Sequence, residues 1–250
     1  MLDNQVKQCR ELISEATSIA ALTGAGISTN AGIPDFRGPQ GLYISRRYDP
    51  DKVFDIRAFL EDPNPFFEFA RDFIELEKNL RPTASHHFLS ALERQGKLKG
   101  VITQNIDGLH QRAGSENVLE MHGSFLKGYC LKCAQEYSYE QMKVKLAQGV
   151  VPRCDIDSAV IKPDVVFFGE NVKHYQAAVE LAESVDLFFI IGTSCVVFPA
   201  ASIPKFAQGK IVIVNQGEVN LSLFNVAMSV DGDCDHFFEM VAEDLQFNSI

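Results

Sequence analysis

Three groups of residues in this sequence have the types and spacing to do chemistry. The first is Cys130-Leu-Lys-Cys133, followed after twenty residues by Cys154-Asp-Ile-Asp157. Paired cysteines two residues apart, repeated after a loop, are the pattern of a tetrahedral zinc knuckle. Here the fourth position is Asp157, whose carboxylate oxygen can also ligate zinc, so a three-sulfur, one-oxygen site is chemically sound. Ser158-Ala159 stand where a glycine usually eases such a turn, so a degenerate, metal-free knuckle is the other reading. Cys9, Cys195 and Cys234 lie singly among apolar residues, as buried thiols of a protein kept in a reducing compartment do.

The second group follows short apolar runs. Ser18-Ile-Ala-Ala-Leu22 leads into Gly24-Ala25-Gly26-Ile-Ser28-Thr29, where backbone amides and two hydroxyls could approach a pyrophosphate. Thr29 occupies the place of the third glycine of a dinucleotide turn, and no acidic residue closes a nearby second strand to hold a ribose. An ordinary dehydrogenase therefore fits poorly, and a ligand-free strand-to-helix turn is the plainer alternative. Gly100-Val-Ile-Thr103 leads into Gln104, Asn105 and Asp107, which suit either a ligand crevice or simple turn and cap chemistry. The third group is Glu120-Met-His122-Gly123. A histidine titrates near neutral pH, and the glycine beside it allows close approach, so His122 could serve as a general base or be structural. His110, His86 and His87 read as structural.

The elements that must position these groups are legible in outline. The apolar runs 19–22, 100–103, 186–191 and 210–214 each end in small or polar residues. That is the pattern of a parallel sheet covered on both faces, whose ligands bind at the carboxyl ends of the strands. Residues 3–16 place Val6, Cys9, Leu12, Ile13 and Ala16 on one helical face. The expected fold is α/β: a doubly wound, Rossmann-like parallel sheet formed by 1–39, 85–122 and 165–250. A helical insert at 40–84 and a zinc-ribbon-like insert at 123–164 make a smaller domain. The 250 residues are enough for a sizeable core, and 46% apolar with 22% charged residues is ordinary for a globular protein. A formal net charge of −10 argues against nucleic acid as the partner, and no membrane-spanning or signal segment is visible, so a cytoplasmic location is expected.

Taken together, the motifs resemble those of the sirtuins, NAD-dependent protein-lysine deacylases. The matching stretches are GAGIS-T-N-AGIPDFRG (24–38), TQNIDGLHQRAG (103–114), MHGS (121–124), KPDVVFFGE (162–170), GTS (192–194) and VNQG (214–217), in that family's order and spacing. The resemblance implies NAD as a consumed co-substrate. Gly24, Ala25, Gly26, Ser28 and Thr29 would cradle its pyrophosphate. Asp35, Phe36 and Arg37 would belong to a loop over the nicotinamide ribose, with Phe36 shielding the reactive carbon and Arg37 holding phosphates. Gln104, Asn105, Ile106 and Asp107 would line the ribose and nicotinamide pocket, and His122 would be the base on the ribose hydroxyl. Gly192, Thr193, Ser194, Asn215, Gln216 and Gly217 would bind the adenosine half, with Cys234 against the adenine. Val165, Val166, Phe167, Phe168 and Gly169 would face Val196, Val197 and Phe198 across a groove where the substrate peptide adds as a strand.

By the same resemblance the partners are acyl-lysine proteins or peptides, and the products are free lysine, nicotinamide and O-acyl-ADP-ribose. Zinc at Cys130, Cys133, Cys154 and Asp157 would be structural. Family members preferring succinyl or malonyl groups carry a Tyr-x-x-Arg pair in the helical insert. Here Phe69-Ala-Arg-Asp72 stands in that place, which implies acetyl and other apolar acyl groups. Transfer of ADP-ribose to protein, plain NAD hydrolysis, and a catalytically idle NAD-sensing scaffold are the competing readings.

Overall fold

A computed structural model describes residues 2–33, 48–77, 79–149, 151–219 and 225–243. Its centre is a sheet of six strands: β1 (Ile19–Thr23), β2 (Leu98–Thr103), β3 (Val118–Glu120), β7 (Leu187–Ile191), β8 (Lys210–Asn215) and β9 (Val226–Asp231). Their order is β3-β2-β1-β7-β8-β9, with every neighbouring pair parallel. β1 and β7 are buried along their whole length, which is why their sequences are apolar but for the terminal Thr23. Alternation still divides the side chains between two faces. Ile19, Ala21, Leu187, Phe189, Val212 and Val214 join one core, while Ala20, Leu22, Phe188, Ile190, Ile211 and Ile213 join the other.

Helices cover both faces. The first core takes α1 (Leu2–Glu15) through Val6, Cys9, Leu12 and Ile13, the face read from the sequence. The helix Ala84–Arg94 adds Phe88, Leu89 and Leu92, and the helix Cys234–Ala242 adds Phe237, Phe238 and Val241. The opposite core takes the helix Tyr175–Glu183 through Ala178, Val179 and Ala182, and the 3₁₀ segment Ala200–Phe206. The last turn of α1 meets Lys97, the residue before β2. Lys97 Nζ donates to Ile13 O at 2.5 Å, Ser14 O at 3.1 Å and Ala16 O at 3.2 Å, satisfying carbonyls that a helix end leaves open.

The smaller unit combines helices Pro50–Val53, Ile56–Glu61 and Asn64–Glu77 with a second, antiparallel sheet. That sheet is β4 (Gly123–Cys130), β5 (Glu136–Ser138) and β6 (Ile161–Val165), with β4 in the middle and the helix Tyr139–Ala147 beside it. Its core is aromatic. Phe66 lies 4.9 Å from Phe167, 5.4 Å from Phe67, 5.6 Å from Phe59 and 5.8 Å from Phe125, ring centre to ring centre. Val165 and Phe167 belong to this core, so the chain passes from the small sheet to the large one just beyond them.

Candidate active site

Because the main sheet is parallel, the ends of β1, β2, β7 and β8 open on one edge, where Gly24, Gln104, Gly192 and Gln216 follow the strands. The glycines there serve backbone-to-backbone contact. Gly24 N donates to Ile191 O at 3.1 Å and Gly26 N to Gly192 O at 2.8 Å, so these two amides are engaged within the chain. A Cβ on Gly192 would lie 2.3 Å from Ile27 N, and one on Gly26 would lie 2.8 Å from Gly192 Cα. After Gly24 the chain forms a 3₁₀ segment, Ala25–Ala31, closed by Gly32 at φ 96°. Ser28 is buried in it and Thr29 is exposed, with its hydroxyl donating to Gly26 O at 3.1 Å.

The amide-rich turn after β2 folds onto this segment. Asn105 Nδ2 donates to Gly24 O at 3.1 Å and Ser28 Oγ at 3.2 Å, and Ser28 donates to Asp107 Oδ2 at 2.8 Å. Burial pushes the Asp107 carboxyl up from the usual carboxylate range, against the hydrogen bonds from Leu109 N and Ser28. Gln104 reaches across to the turn after β7, donating through Nε2 to Thr193 Oγ1 at 3.0 Å. Ile106 is half-buried and packs against the aromatic core of the smaller unit. Asn105, Asp107, Ser28, Gly24, Gln104 and Thr193 are thus brought together at the carboxyl ends of β1, β2 and β7.

His122 enters from the seam between the two sheets. Its Nδ1 lies 2.8 Å from Gln104 O, and a carbonyl can only accept, so Nδ1 carries the proton. The lone pair is left on Nε2. Burial holds the imidazolium form down, below the usual histidine range, with the Gln104 bond acting in the other direction. Gly123 is required beside it. Its φ is 69°, and a Cβ there would sit 1.8 Å from Asp164 O. His122 O in turn accepts from Val166 N at 2.8 Å, which ties the histidine to the residue after β6.

The other residues expected from the sequence take varied positions. Thr193 is buried and Ser194 half-buried. Asn215 Nδ2 donates to Gln216 O and Gly217 O, and Gly217 N donates to Asp231 Oδ1 at 2.8 Å, shaping a tight turn beyond β8. Gln216 is exposed. Cys234 is buried, with Sγ 3.4 Å from Val214 O, and burial pushes its thiol up to about 12. Val166 is half-buried and Phe168 and Gly169 exposed; Val196 and Val197 are half-buried and Phe198 exposed. Asp35, Phe36 and Arg37 lie outside the described residues.

Several organising residues were not singled out from the sequence. Phe167 N donates to Glu170 Oε2, Phe168 N to Phe54 O, and Ile56 N to Phe168 O, so three polar groups of this edge are already paired. Glu170 is itself paired with Lys162 at 2.9 Å, and Lys173 pairs with Asp164. The KPDVVFFGE stretch contains Lys162, Asp164 and Glu170, but nothing in its spacing says that Lys162 pairs with Glu170 or that Asp164 pairs with Lys173 beyond it.

The cysteine cluster assembles as its spacing implies. The ligand atoms of Cys130, Cys133, Cys154 and Asp157 all lie within 4.8 Å of one another. Cys133 Sγ is 3.6 Å from Cys154 Sγ, and Cys130 Sγ is 3.3 Å from Asp157 Oδ1. Tetrahedral zinc with ordinary bond lengths needs edges of about 3.8 Å between sulfurs and about 3.5 Å between sulfur and oxygen. The donor set fits. Amides of Lys132 and Cys133 point at Cys130 Sγ, and Ile156 N and Tyr137 Oη–H point at Cys154 Sγ, as suits thiolates. The Ala159 amide holds the Asp157 carboxyl down to about 2. Ala134 and Ser158 both adopt φ 59°, a left-handed conformation that glycine would take at lower cost.

The model of the Sir2 family matches residues 24–199. An NAD-dependent protein deacetylase of Thermotoga maritima is 43% identical over 219 residues, covering 86% of this chain and 88% of its own. A Sir2 structure holding a deacetylated p53 peptide and 3'-O-acetyl ADP ribose superposes with a TM-score of 0.89 at 40% identity, covering 96% of this chain and 98% of that one. A second structure, Sir2Tm bound to a propionylated peptide, gives 0.86 at 37% identity, covering 98% and 100%.

Proposed function

The chain belongs to the Sir2 family, and from that membership we propose how this NAD-dependent protein-lysine deacylase works: His122 is the general base and Asn105 and Asp107 hold the nicotinamide half of NAD. The carrying observation is the tautomer of His122. With its proton on Nδ1 and its charge suppressed by burial, Nε2 offers a lone pair at the mouth of the crevice. Bound NAD supplies the ribose carbon and hydroxyl to which the acyl group passes, with release of nicotinamide. His122 takes the proton of that hydroxyl, while Asn105, Ser28 and Asp107 present a pre-assembled polar wall that needs no rearrangement.

The acyl-lysine peptide lies between Val166–Gly169 and Val196–Phe198, where Phe168 and Phe198 give two exposed apolar walls. Acetyl and other apolar acyl groups suit the pocket. Phe69 is buried in the aromatic core, and Asp72, which accepts a hydrogen bond from Tyr48, brings negative charge where a carboxylated acyl group would need a cation. Residues 1–39, 85–122 and 165–250 form the nucleotide-binding domain, with 40–84 and 123–164 as its inserts. Six cysteines without a disulfide, three of them clustered with Asp157, suit the reducing cytoplasm. Among the described residues no helix is long and apolar enough to cross a membrane.

The deciding experiment is mass spectrometry of an acetyl-lysine peptide incubated with the protein, with and without NAD. Loss of the acetyl mass only with NAD, alongside O-acetyl-ADP-ribose, is expected. Nicotinamide release with the acetyl group intact would instead point to ADP-ribosyl transfer or NAD hydrolysis. Zinc, held by Cys130, Cys133, Cys154 and Asp157, would cross-link β4 to the loop before β6 and supply folding energy rather than chemistry. One zinc per chain is expected by plasma emission spectrometry, with chelation lowering the melting temperature by about 5 °C or more. Asp157→Ala should release the metal at lower chelator concentration than wild type, and equal retention would remove Asp157 from the ligand set.

A further inference from the structure

Lys162, in β6, is a charge in an apolar place. Only 11% of its side chain is exposed, and its ammonium lies 4.3 Å from the ring centre of Phe167. Its three protons have three acceptors: Val165 O at 2.6 Å, Glu170 Oε2 at 2.9 Å and Pro163 O at 3.4 Å. Burial lowers the Lys162 pKa, against the pull of the Glu170 carboxylate. A buried ion pair is a poor source of stability, because dehydrating both charges offsets their attraction. Two apolar side chains would fill the space beside Phe167 without that cost, so packing alone does not account for the pair.

What the pair touches is the turn after β6. Glu170 Oε2 accepts from Phe167 N at 2.8 Å as well as from Lys162, and Glu170 N donates back to Phe167 O at 3.0 Å. Residues 167–170 are therefore closed twice, once by the backbone and once by the Glu170 side chain. Gly169, at φ 94°, takes the third position, where a type II turn needs a positive φ. Lys162 ties in the preceding strand end through Val165 O. This turn sorts two adjacent phenylalanines: Phe167 is 1% exposed and belongs to the aromatic core, while Phe168 is 46% exposed. The flanking bonds are backbone ones, Val166 N to His122 O, Phe168 N to Phe54 O and Ile56 N to Phe168 O.

We propose that Lys162 and Glu170 are positioning residues that hold the turn 166–169 in the shape that receives the acyl-lysine peptide. This role rests on the peptide lying beside Val166–Gly169. Without the ammonium, Val165 O loses a donor and the Glu170 carboxylate loses the charge that keeps it over Phe167 N. The turn then keeps only its single backbone closure. A preformed edge spares the peptide the cost of ordering it on binding, so the loss falls on peptide affinity. Gly24, Ser28, Asn105 and Asp107 bond to one another and not to this pair, so NAD affinity stays as it is.

Lys162→Met keeps an unbranched side chain beside Phe167 and removes all three donors. It should raise KM for the acetyl peptide about tenfold, with kcat within about threefold and NAD affinity by calorimetry within about twofold. Lys162→Arg keeps the charge and should bring that KM back to within about threefold of wild type. Glu170→Gln should raise KM too, and the double variant should be no worse than Lys162→Met alone, as partners in one interaction require. Additive effects, an unchanged peptide KM in Lys162→Met, or equal losses for peptide and NAD would overturn this role. The chain has no tryptophan, so Phe168→Trp places a single indole on the turn. Time-resolved anisotropy should show that indole moving more freely once Lys162→Met is added. An equally restrained indole would mean that the pair does not hold the turn, whatever the enzyme does. A wild-type protein that leaves the acetyl peptide intact would defeat the functional reading, and the anisotropy would still decide what the pair holds. If Lys162→Met does not fold, Glu170→Gln carries both measurements.

Discussion

His122→Ala is expected to lower the rate of deacetylation by about 10²–10⁴, the usual contribution of a positioned base. The loss should fall on the proton-transfer step. Asn105, Ser28 and Asp107 bond to one another without using His122, so the variant keeps that wall and should still bind NAD. NAD affinity within about threefold of wild type, measured by calorimetry, with deacetylation nearly abolished, is the expected pattern. Equal loss of both would mean that His122 chiefly holds the Gln104 turn through its 2.8 Å bond. The pH dependence carries a second check. Burial lowers the His122 pKa below 6.5, and the neutral form is the base, so the active form persists to lower pH than an exposed histidine would allow. The acid limb of kcat/KM for the peptide should therefore have its midpoint below 6.5 and should be absent in His122→Ala.

The second large effect concerns Gly192. With φ at 61° and an added Cβ falling 2.3 Å from Ile27 N, 2.6 Å from Gly26 C and 2.9 Å from Gly26 Cα, alanine there runs into backbone. No side chain can turn away to make room, so the turn after β7 must move off the turn after β1 and break the Gly26 N to Gly192 O bond. Gly149 provides the control. It has φ 75° and nothing within 4 Å of an added Cβ, so alanine there meets only the left-handed conformational cost of about 1–2 kcal/mol. For a chain of this length Gly149→Ala should lower the melting temperature by roughly 2–8 °C. Gly192→Ala should lower it by more than about 10 °C, or leave too little folded protein to measure. Similar shifts for the two variants would show that the close approach contributes nothing.

The central strands were legible because burial on both faces writes them as unbroken apolar runs. β1, β2, β7 and β8 all appear where the sequence reading put them, and so does the apolar face of α1. The edge strands were not read. β3 has three residues, all half-buried, and β9 alternates in a way that a turn-rich segment also can. In the crevice, residue types pointed to the place but not to the use of each group. Gly24 and Gly26 looked like open amides for a phosphate, yet those amides bond to Ile191 and Gly192, which arrive from far along the sequence. The same holds for residues 165–169, read as an open edge and found partly paired to Phe54, Ile56, His122 and Glu170. The cysteine spacing was local, and there the donor cluster including Asp157 assembled as read. What the sequence conceals is whatever depends on which distant backbone comes alongside.

The strand order also bears on how the chain is made. β1 pairs with β2 on one side, Ile19 beside Leu98, and with β7 on the other, Ile19 beside Leu187. At about 5–20 residues per second, roughly 10–30 s of synthesis separates β1 from its second partner. During that interval a largely apolar strand leaves the ribosome with one edge open, and the glycine turn after it has no Gly192 to rest against. The smaller sheet, whose strands β4 to β6 span only residues 123–165, can close while β1 still waits. The nucleotide crevice is therefore among the last features to form on the nascent chain, and a chain stalled before residue 187 would hold a finished insert on an unfinished sheet.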